Sequence, residues 1–241
     1  MASYLFVLVI GLIAGTLSGI IGTGSSIILL PILVFQFGPK QAVPIMAIAA
    51  LMSNIGKALA WWREIDWKAW CAYSITGAPA AALGARTLLV LPPRLVDIAL
   101  GLFFLAMIPC QRRLAALHLR LSLWQLAIAG GLIGFLTGIV ISTGPLSVPA
   151  FTSYGLLKGA FLSTEAASSL ILMASKVTTF RSLGALPVSS IVEGLIIGSS
   201  VMAGAFVGKE VVRRTSAVMF QHVLDVMLFC SGIAMLWAAI A

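Results

Sequence analysis

The sequence is poor in charged residues, which make up only 9% of its 241 residues. Soluble globular domains carry about 25%, so this composition excludes an ordinary soluble domain. Hydrophobic residues make up 61% of the chain. Because a helix that spans a bilayer needs about 20 predominantly apolar residues, the length leaves room for about eight to ten such segments and little else.

Histidine and cysteine are also scarce, and the few present lie far apart: His118, His222, Cys71, Cys110 and Cys230. No Cys-x-x-Cys pair occurs, so the sequence predicts neither a metal site nor a disulfide framework, and isolated cysteines pack as small apolar residues. Nucleophilic catalysis requires a base beside the nucleophile, and no phosphate-binding glycine loop is present. We therefore predict that the protein is not an enzyme and uses no cofactor.

Acidic residues are few as well, 7 against 15 basic ones. The basic residues lie in short loops between apolar segments, as the positive-inside rule describes, so we expect no binding of nucleic acid. A cytoplasmic loop over 111–121 that contains Arg112, Arg113 and Arg120 best satisfies this rule, with both termini outside. The first residues lack a basic region, which predicts a retained helix instead of a cleaved signal peptide.

Glycine-rich breaks interrupt the apolar sequence twice. The first is Gly19-Ile20-Ile21-Gly22-Thr23-Gly24-Ser25-Ser26, and the second is Gly138-Ile139-Val140-Ile141-Ser142-Thr143-Gly144-Pro145. Irregular backbone survives within a membrane only where it is buried in protein or lines a cavity. Breaks at matching positions of two halves therefore indicate the binding site of a transporter.

The chain reads as two copies of one unit. Gly11-Leu12-Ile13 recurs as Gly131-Leu132-Ile133, and Lys40 recurs as Lys158. We predict a first membrane repeat at 1–110, a cytoplasmic linker at 111–121 and a second membrane repeat at 122–241. The predicted segments are 4–22, 25–38, 41–62, 68–90 and 94–110, then 122–141, 144–156, 159–181, 188–211 and 216–240.

These segments predict an all-α integral membrane protein with about eight to ten transmembrane or half-membrane helices. The second segment of each repeat is short, and whether it spans or re-enters stays open. The distribution of basic residues favours an odd number of crossings per repeat, which makes the two five-segment repeats inverted, with broken helices.

The breaks are the predicted substrate site, because a helix that starts there presents the positive end of its dipole. The candidate residues are Gly22, Thr23, Gly24, Ser25 and Ser26 in the first break and Ser142, Thr143 and Gly144 in the second. The alternative is that these glycines serve only close helix packing. That is the role we expect for Gly11, Gly15, Gly19, Gly77 and Gly84.

Three polar residues of the third segments are further candidates for substrate binding. Asn54 is expected deep in its segment, and Lys57 and Lys176 occupy near-equivalent places in the two repeats. Either lysine could attract an anion. The interpretation we favour from sequence alone is that both snorkel to the membrane interface.

Acidic residues within membrane segments are candidates for proton coupling, and here they are Glu165, Glu193 and Asp225. A hydrogen-bonded acid in a buried or interfacial position is the favoured alternative for the first two. Arg94 with Asp97 and His222 with Asp225 are spaced as (i, i+3) pairs, so ion pairs are expected there.

The first break lies in the pattern Gly15-x-x-Ser18-Gly19-x-x-Gly22-Thr23-Gly24-Ser25-Ser26-x4-Pro31. It resembles the opening signature of the TauE/SafE sulfite exporter family, as do Lys40-Gln41-Ala42-Val43 and Gly134-x3-Gly138-x5-Gly144-x4-Pro149. The resemblance covers essentially the whole chain. It implies a multi-pass carrier of the bacterial inner membrane for sulfite, organosulfonates or related small anions.

We therefore expect a transporter that exports sulfite or an organosulfonate by alternating access around the paired breaks, with a small anion and the lipid bilayer as partners. A homodimer is one arrangement that the sequence leaves open. Two other functions also stay open, namely import of another small anion such as a carboxylate, and a scaffold subunit that transports nothing.

Overall fold

The computed structural model describes residues 11–13, 15–16, 24–116, 120–140, 143–212 and 217–240. These residues are almost entirely helical and contain no strand. Beyond the short helical stretches within 11–16, the helices are α1 (Gly24–Phe37), α2 (Pro39–Ala60), α3 (Trp67–Val90), α4 (Pro93–Ala116), α5 (Leu123–Ile139), α6 (Gly144–Tyr154), α7 (Lys158–Ser182), α8 (Val188–Val212) and α9 (Ala217–Ile240), with a 3-10 turn at Trp62–Glu64.

Local sequence fixes several of these helix ends. The Asp66 side chain caps α3 by accepting hydrogen bonds from the backbone N–H groups of Lys68 and Ala69, each at 3.0 Å. Ser122 and Gln125 form a capping box at the start of α5. Gly155 ends α6 in the left-handed conformation, with φ 110°, which glycine adopts without steric cost.

The predicted fifth segment ended at residue 110, but α4 continues to Ala116. The first part of the predicted linker is therefore helical. In this additional part of α4, Arg112 forms an ion pair with Asp225 of α9. Sequence spacing carries no signal for such a distant partner.

Small residues set the closest helix contacts. A Cβ added at Gly84 of α3 would lie 2.2 Å from the Phe135 carbonyl oxygen of α5, and one at Gly134 would lie 2.4 Å from the Gly77 carbonyl oxygen. Gly77 and Gly84 therefore pack backbone against backbone, as predicted. The contact positions advance together along both helices, so α3 and α5 run parallel.

The same kind of contact joins the stretch 11–16 to α8. A Cβ at Gly15 would lie 2.2 Å from the Val201 carbonyl oxygen, and one at Gly204 would lie 2.3 Å from the Leu12 carbonyl oxygen. Gly11 likewise faces Ser200. Gly11 and Gly15 are thus packing glycines, as expected, whereas Gly19 lies outside the described residues. Here too the two segments run parallel.

Two further helix pairs are parallel. In α2 and α8, Gly194 faces Ile45 and Gly198 faces Ala49. In α3 and α7, the hydroxyl of Thr164 accepts a hydrogen bond of 2.9 Å from the backbone N–H of Asp66. Further along the same pair, the Ser175 hydroxyl donates to the Ala78 carbonyl oxygen at 2.7 Å.

By contrast, α4 and α9 run antiparallel. Gly101 packs on Leu236, Gly232 packs on Leu105, and Arg112 reaches back to Asp225. As the position advances along α4, its contact moves backwards along α9.

The outer surface is strongly apolar. Phe35 is 90% exposed, Val90 83% and Trp237 74%. Two stretches, Lys40–Leu59 and Pro93–Cys110, are long and apolar enough to cross a membrane by length and composition. Large apolar patches on a protein surface mark contact with another apolar phase or partner, which agrees with a surface that faces lipid.

Candidate functional site

The second glycine break coincides with an interruption of helical structure between α5 and α6. Helix α5 ends at Ile139, Val140 has the extended angles φ −108° and ψ 146°, and α6 begins at Gly144 with a proline in its first turn. Ser142, a predicted substrate residue, lies outside the described residues. Thr143 and Gly144 are buried at the start of α6.

Two threonines connect the helix ends at this break. The hydroxyl oxygens of Thr137 and Thr143 lie 2.5 Å apart. The Thr137 hydroxyl also donates to the Ile133 carbonyl oxygen at 2.7 Å. Because a hydroxyl has one proton to donate, the Thr143 hydroxyl is the donor in the bond between the two threonines.

Lys176 of α7 is the charged residue at this break. Its side chain is completely buried, and its ammonium donates a hydrogen bond of 2.7 Å to the Thr137 carbonyl oxygen. The ring of Phe180 lies 5.6 Å from the same nitrogen. The expectation that Lys176 snorkels is therefore wrong, since a neighbouring helix end holds its ammonium inside the protein.

Within the described part of the chain, no carboxylate forms an ion pair with Lys176. The carbonyl end of a helix has a partial negative charge of about half a unit, which does not neutralise a full ammonium charge. A buried charge without a counter-ion is costly. Lys176 is thus a completely buried lysine at the break between α5 and α6.

The start of α6 offers fewer backbone N–H groups to a ligand than the start of a helix usually does. Pro145 has no N–H group, and the N–H groups of Leu146 and Ser147 both donate to the Thr143 carbonyl oxygen. Among the described residues, the N–H of Gly144 has no backbone acceptor.

A second polar cluster surrounds Glu165 of α7. Its Oε1 atom accepts hydrogen bonds from the hydroxyls of Ser147, at 3.2 Å, and Ser169, at 3.0 Å. Glu165 is therefore a buried, hydrogen-bonded acid, as the favoured sequence interpretation held. Lys57 of α2 is half-buried.

The two clusters lie along the first turns of α6. Thr143 contacts the Lys176 cluster through Thr137, and Ser147, one turn later, contacts Glu165. Polar contacts thus run from Lys176 past the start of α6 to Glu165. Three helices, α5, α6 and α7, contribute to them.

The first break is only partly described. Gly22 and Thr23 lie outside the described residues, as does the side chain of Ser25, and α1 begins at Gly24. Ser26 in the first turn of α1 is buried. Asn54 is buried in α2, next to Ser53, whose buried hydroxyl has no hydrogen-bond partner in the described structure.

The remaining acidic candidates are separate from these clusters. Asp225 pairs with Arg112, and the side chain of His222, its expected partner, lies outside the described residues. Glu193 is half-buried in α8. The expected pair of Arg94 and Asp97 is not formed: Arg94 is exposed, and one buried carboxylate oxygen of Asp97 has no hydrogen-bond partner in the described structure.

Sequence reasoning missed Thr137, Ser147 and Ser169. A helical-spacing signal was available for two of them, because Ser147 follows Thr143 by four residues and Ser169 follows Glu165 by four. Residues at this spacing share one face of a helix. Thr137 has no such relation to a candidate, and only folding brings it next to Lys176.

The cysteines are far from both clusters in the chain. All three are free, and Cys71 and Cys230 are exposed, so these two do not pack as buried apolar residues as the sequence suggested. No group of three or more His, Cys, Asp or Glu side chains that could bind a metal occurs among the described residues.

Comparison with known proteins gives one match. The family model described as "Sulfite exporter TauE/SafE" matches residues 7–235. No curated protein and no solved structure matches the chain significantly.

Proposed function

Since the chain belongs to the TauE/SafE sulfite exporter family, whose members are membrane transporters, we propose that it exports sulfite or an organosulfonate across the bacterial inner membrane as a multi-pass carrier. The match covers nearly the whole chain. The proposal is for a carrier and not for an enzyme. It is made for a single chain, and nothing in the described residues favours a homodimer.

The observation that carries the proposal is the buried ammonium of Lys176 at the junction of α5 and α6. The surrounding groups, the Thr137 carbonyl oxygen and the Phe180 ring, supply no full negative charge. A small anion bound here would neutralise the ammonium. The Thr143 hydroxyl and the Gly144 N–H lie at the same junction, and reorientation of the hydroxyl would add a donor to an oxyanion.

The contacts between the two halves support inverted repeats. When the two halves are exchanged, the pair of α3 with α5 corresponds to the pair of α8 with the stretch 11–16. In the same way, the pair of α2 with α8 corresponds to the pair of α7 with α3. In all four pairs the two helices run parallel. Helices α4 and α9 correspond directly and are antiparallel. Direct counterparts run antiparallel when a two-fold axis lies in the membrane plane, and parallel when it lies along the membrane normal.

Alternating access follows from that arrangement. A pseudo-two-fold axis in the membrane plane relates the two breaks to each other. Each break would then lie nearer to one membrane surface than to the other. We propose that relative movement of the halves exposes the second break to the two sides in turn. The hydroxyls of Thr137, Thr143 and Ser147 would then guide an oxyanion along the first turns of α6.

Export needs no coupling ion. Each negative charge that leaves a cytoplasm held at a negative potential gains about 2.3 kcal/mol per 100 mV. Movement of sulfite down its concentration gradient adds to this driving force. The proton-coupling roles of Glu165, Glu193 and Asp225 therefore stay predictions that export itself does not demand.

The test is efflux of labelled sulfite from proteoliposomes that contain the full chain. We expect Lys176→Gln to abolish efflux, because it removes the charge and keeps most of the volume. Lys68→Gln is the matched control, since Lys68 is exposed in the first turn of α3 and its loss removes the same charge far from the break. Lys68→Gln is expected to transport like wild type.

Each result has a clear meaning. Wild-type protein that moves neither sulfite nor an organosulfonate contradicts the proposed substrate class, and flux of a carboxylate in its place would identify a different anion carrier. Lys176→Gln that transports like wild type contradicts the site but leaves the substrate class intact.

A further inference from the structure

Helix α7 is attached to both helices that flank the second break, through one basic and one acidic side chain. Lys176 donates to the Thr137 carbonyl oxygen in the last turn of α5, at 2.7 Å. Glu165 accepts from the Ser147 hydroxyl in the first turns of α6, at 3.2 Å. The two residues are eleven positions apart, which is about 16 Å along the axis of one continuous helix. Helix α7 therefore fixes where the end of α5 and the start of α6 lie relative to each other.

The Glu165 side chain is itself held in place. It is buried, and the Oε1 atom that accepts from Ser147 also accepts from the Ser169 hydroxyl at 3.0 Å. Ser169 lies one turn further along α7, so this second bond joins the side chain to its own helix. The acceptor oxygen is thus presented to α6 from a fixed position.

The Ser147 hydroxyl has two acceptors within reach. The Oε1 atom of Glu165 and the carbonyl oxygen of Gly144 each lie 3.2 Å from it. Because a hydroxyl has one proton to donate, the two bonds compete. The bond to Gly144 stays within α6, whereas the bond to Glu165 joins α6 to α7. Glu165 therefore determines whether the start of α6 is attached to the helix that contains Lys176.

The first turn of α6 contains the groups that we assign to the anion. Thr143 and Gly144 lie within one turn of Ser147, so a movement of Ser147 moves them as well. The Thr143 hydroxyl bonds to that of Thr137 at 2.5 Å, and Lys176 holds the carbonyl group of Thr137. The contacts therefore form a closed ring from α7 to the end of α5, across the break to α6, and back to α7.

We propose that Glu165 is a positioning residue for the anion site, and that it acts through Ser147 to hold the start of α6 at the distance from Lys176 that a small oxyanion needs. Its role is that of a hydrogen-bond acceptor and not of a proton carrier. This inference rests on the proposed function, because it takes the place of the anion from it. Binding groups depend on the residues that hold them in position, so loss of the acceptor should raise the KM for the anion more than it lowers the maximal rate.

Two substitutions of Glu165 separate an acceptor from a proton carrier. Glu165→Gln keeps an oxygen that accepts from Ser147 but cannot carry a proton between the two sides of the membrane. Glu165→Leu keeps most of the volume and has no acceptor. We expect Glu165→Gln to keep the wild-type KM and Glu165→Leu to raise it about ten-fold, the scale of one lost hydrogen bond.

A double-variant cycle tests whether the effect passes through Ser147. Ser147→Ala should raise KM to the same extent as Glu165→Leu, and the two substitutions together should have no larger effect than either alone, because both break the same bond. Ser163→Ala is the matched control for Ser147→Ala. The Ser163 hydroxyl is also buried, and it bonds to carbonyl oxygens of its own helix, so its loss should leave KM unchanged.

The measurement is the initial rate of labelled sulfite or organosulfonate efflux from proteoliposomes of the full chain, over a range of internal anion concentrations. Unfolding in detergent identifies the variants that are folded. Wild-type protein that moves neither anion contradicts the proposed function, and the inference with it.

Saturable efflux by wild type, with an unchanged KM in Glu165→Leu or in Ser147→Ala, overturns the inference and leaves the proposed function intact. Additive effects in the double variant also overturn it. Loss of efflux in folded Glu165→Gln would do the same, since it would indicate a proton carrier. If Glu165→Leu does not fold, Ser147→Ala and Glu165→Gln still give this test.

Discussion

Lys176 bonds to the carbonyl oxygen of Thr137, 2.7 Å away, in the last turn of α5. The last carbonyl groups of a helix have no partner within the helix, so this bond satisfies one of them and places a cation at the negative end of the helix dipole. The next helix, α6, starts a few residues later. One side chain thus supports the end of α5 and supplies positive charge beside the start of α6.

The threonine pair gives the first prediction. Thr143→Val removes the hydroxyl that bonds to Thr137 but keeps the branched shape, so we expect sulfite efflux to fall at least about ten-fold, or about 1.4 kcal/mol of binding or barrier energy. Thr143→Ser keeps the hydroxyl and should retain most of the activity. Initial efflux rates from proteoliposomes measure both. Equal rates for the valine and serine variants would remove the Thr143 hydroxyl from the mechanism.

The glycine contact between α3 and α5 gives the second prediction. Gly84→Ala places a Cβ about 2.2 Å from the Phe135 carbonyl oxygen, and we expect a loss of about 1–3 kcal/mol of stability from overpacking. Gly131→Ala of α5 is the control, because its Cβ would lie 3.7 Å from Thr76, an ordinary contact, and alanine favours helix over glycine by about 1 kcal/mol. Unfolding in detergent should rank Gly84→Ala below wild type and Gly131→Ala at or above it.

The parallel direction of α3 and α5 gives a third prediction, about topology. If both helices span the membrane, we expect the residues before them to lie on one side and the loop between α3 and α4 to lie on the other. In a background without the native cysteines, Lys68→Cys and Arg120→Cys should react with an impermeant thiol reagent from the cytoplasmic side. Arg94→Cys should react from outside. Reaction of Lys68→Cys and Arg120→Cys from opposite sides would contradict the arrangement.

The ion pair between α4 and α9 gives a fourth prediction. The Arg112 side chain is 66% exposed, and exposed ion pairs contribute about 0–1 kcal/mol. Arg112→Gln and Asp225→Asn should each lower stability by less than about 1 kcal/mol and leave sulfite efflux near the wild-type rate. Loss of efflux in Asp225→Asn with normal efflux in Arg112→Gln would instead support the proton-coupling role that the sequence suggested for Asp225.

Local chemistry made the helices of this protein predictable. The short second segments were expected to start at residues 25 and 144, and α1 and α6 start at Gly24 and Gly144. Glycine and proline act on the backbone within one or two residues, so their effect is visible in the sequence itself. The packing role of Gly77 and Gly84 was visible for the same reason.

The surroundings of the charged side chains were less predictable, because they depend on residues that are far away in the chain. From its position near a segment end, Lys176 was expected to snorkel, but Thr137, which binds it, lies 39 residues away in the chain. The (i, i+3) spacing likewise suggested partners for Asp97 and Asp225, and packing gave Asp225 a partner from the opposite half. Spacing along a helix shows which residues share a face, but it does not show which residues of other helices pack against that face.

The backbone contacts at Gly15, Gly84, Gly134 and Gly204 limit how this molecule can change shape. Where two backbones touch, no side-chain rotamer can adjust to take up movement, so the helices in each such pair are locked together. The stretch 11–16 with α8 is one such pair, and α3 with α5 is another. If the carrier opens by alternating access, as proposed, the movement must occur between these pairs and their neighbours, and α7, which carries both Lys176 and Glu165, packs directly against α3.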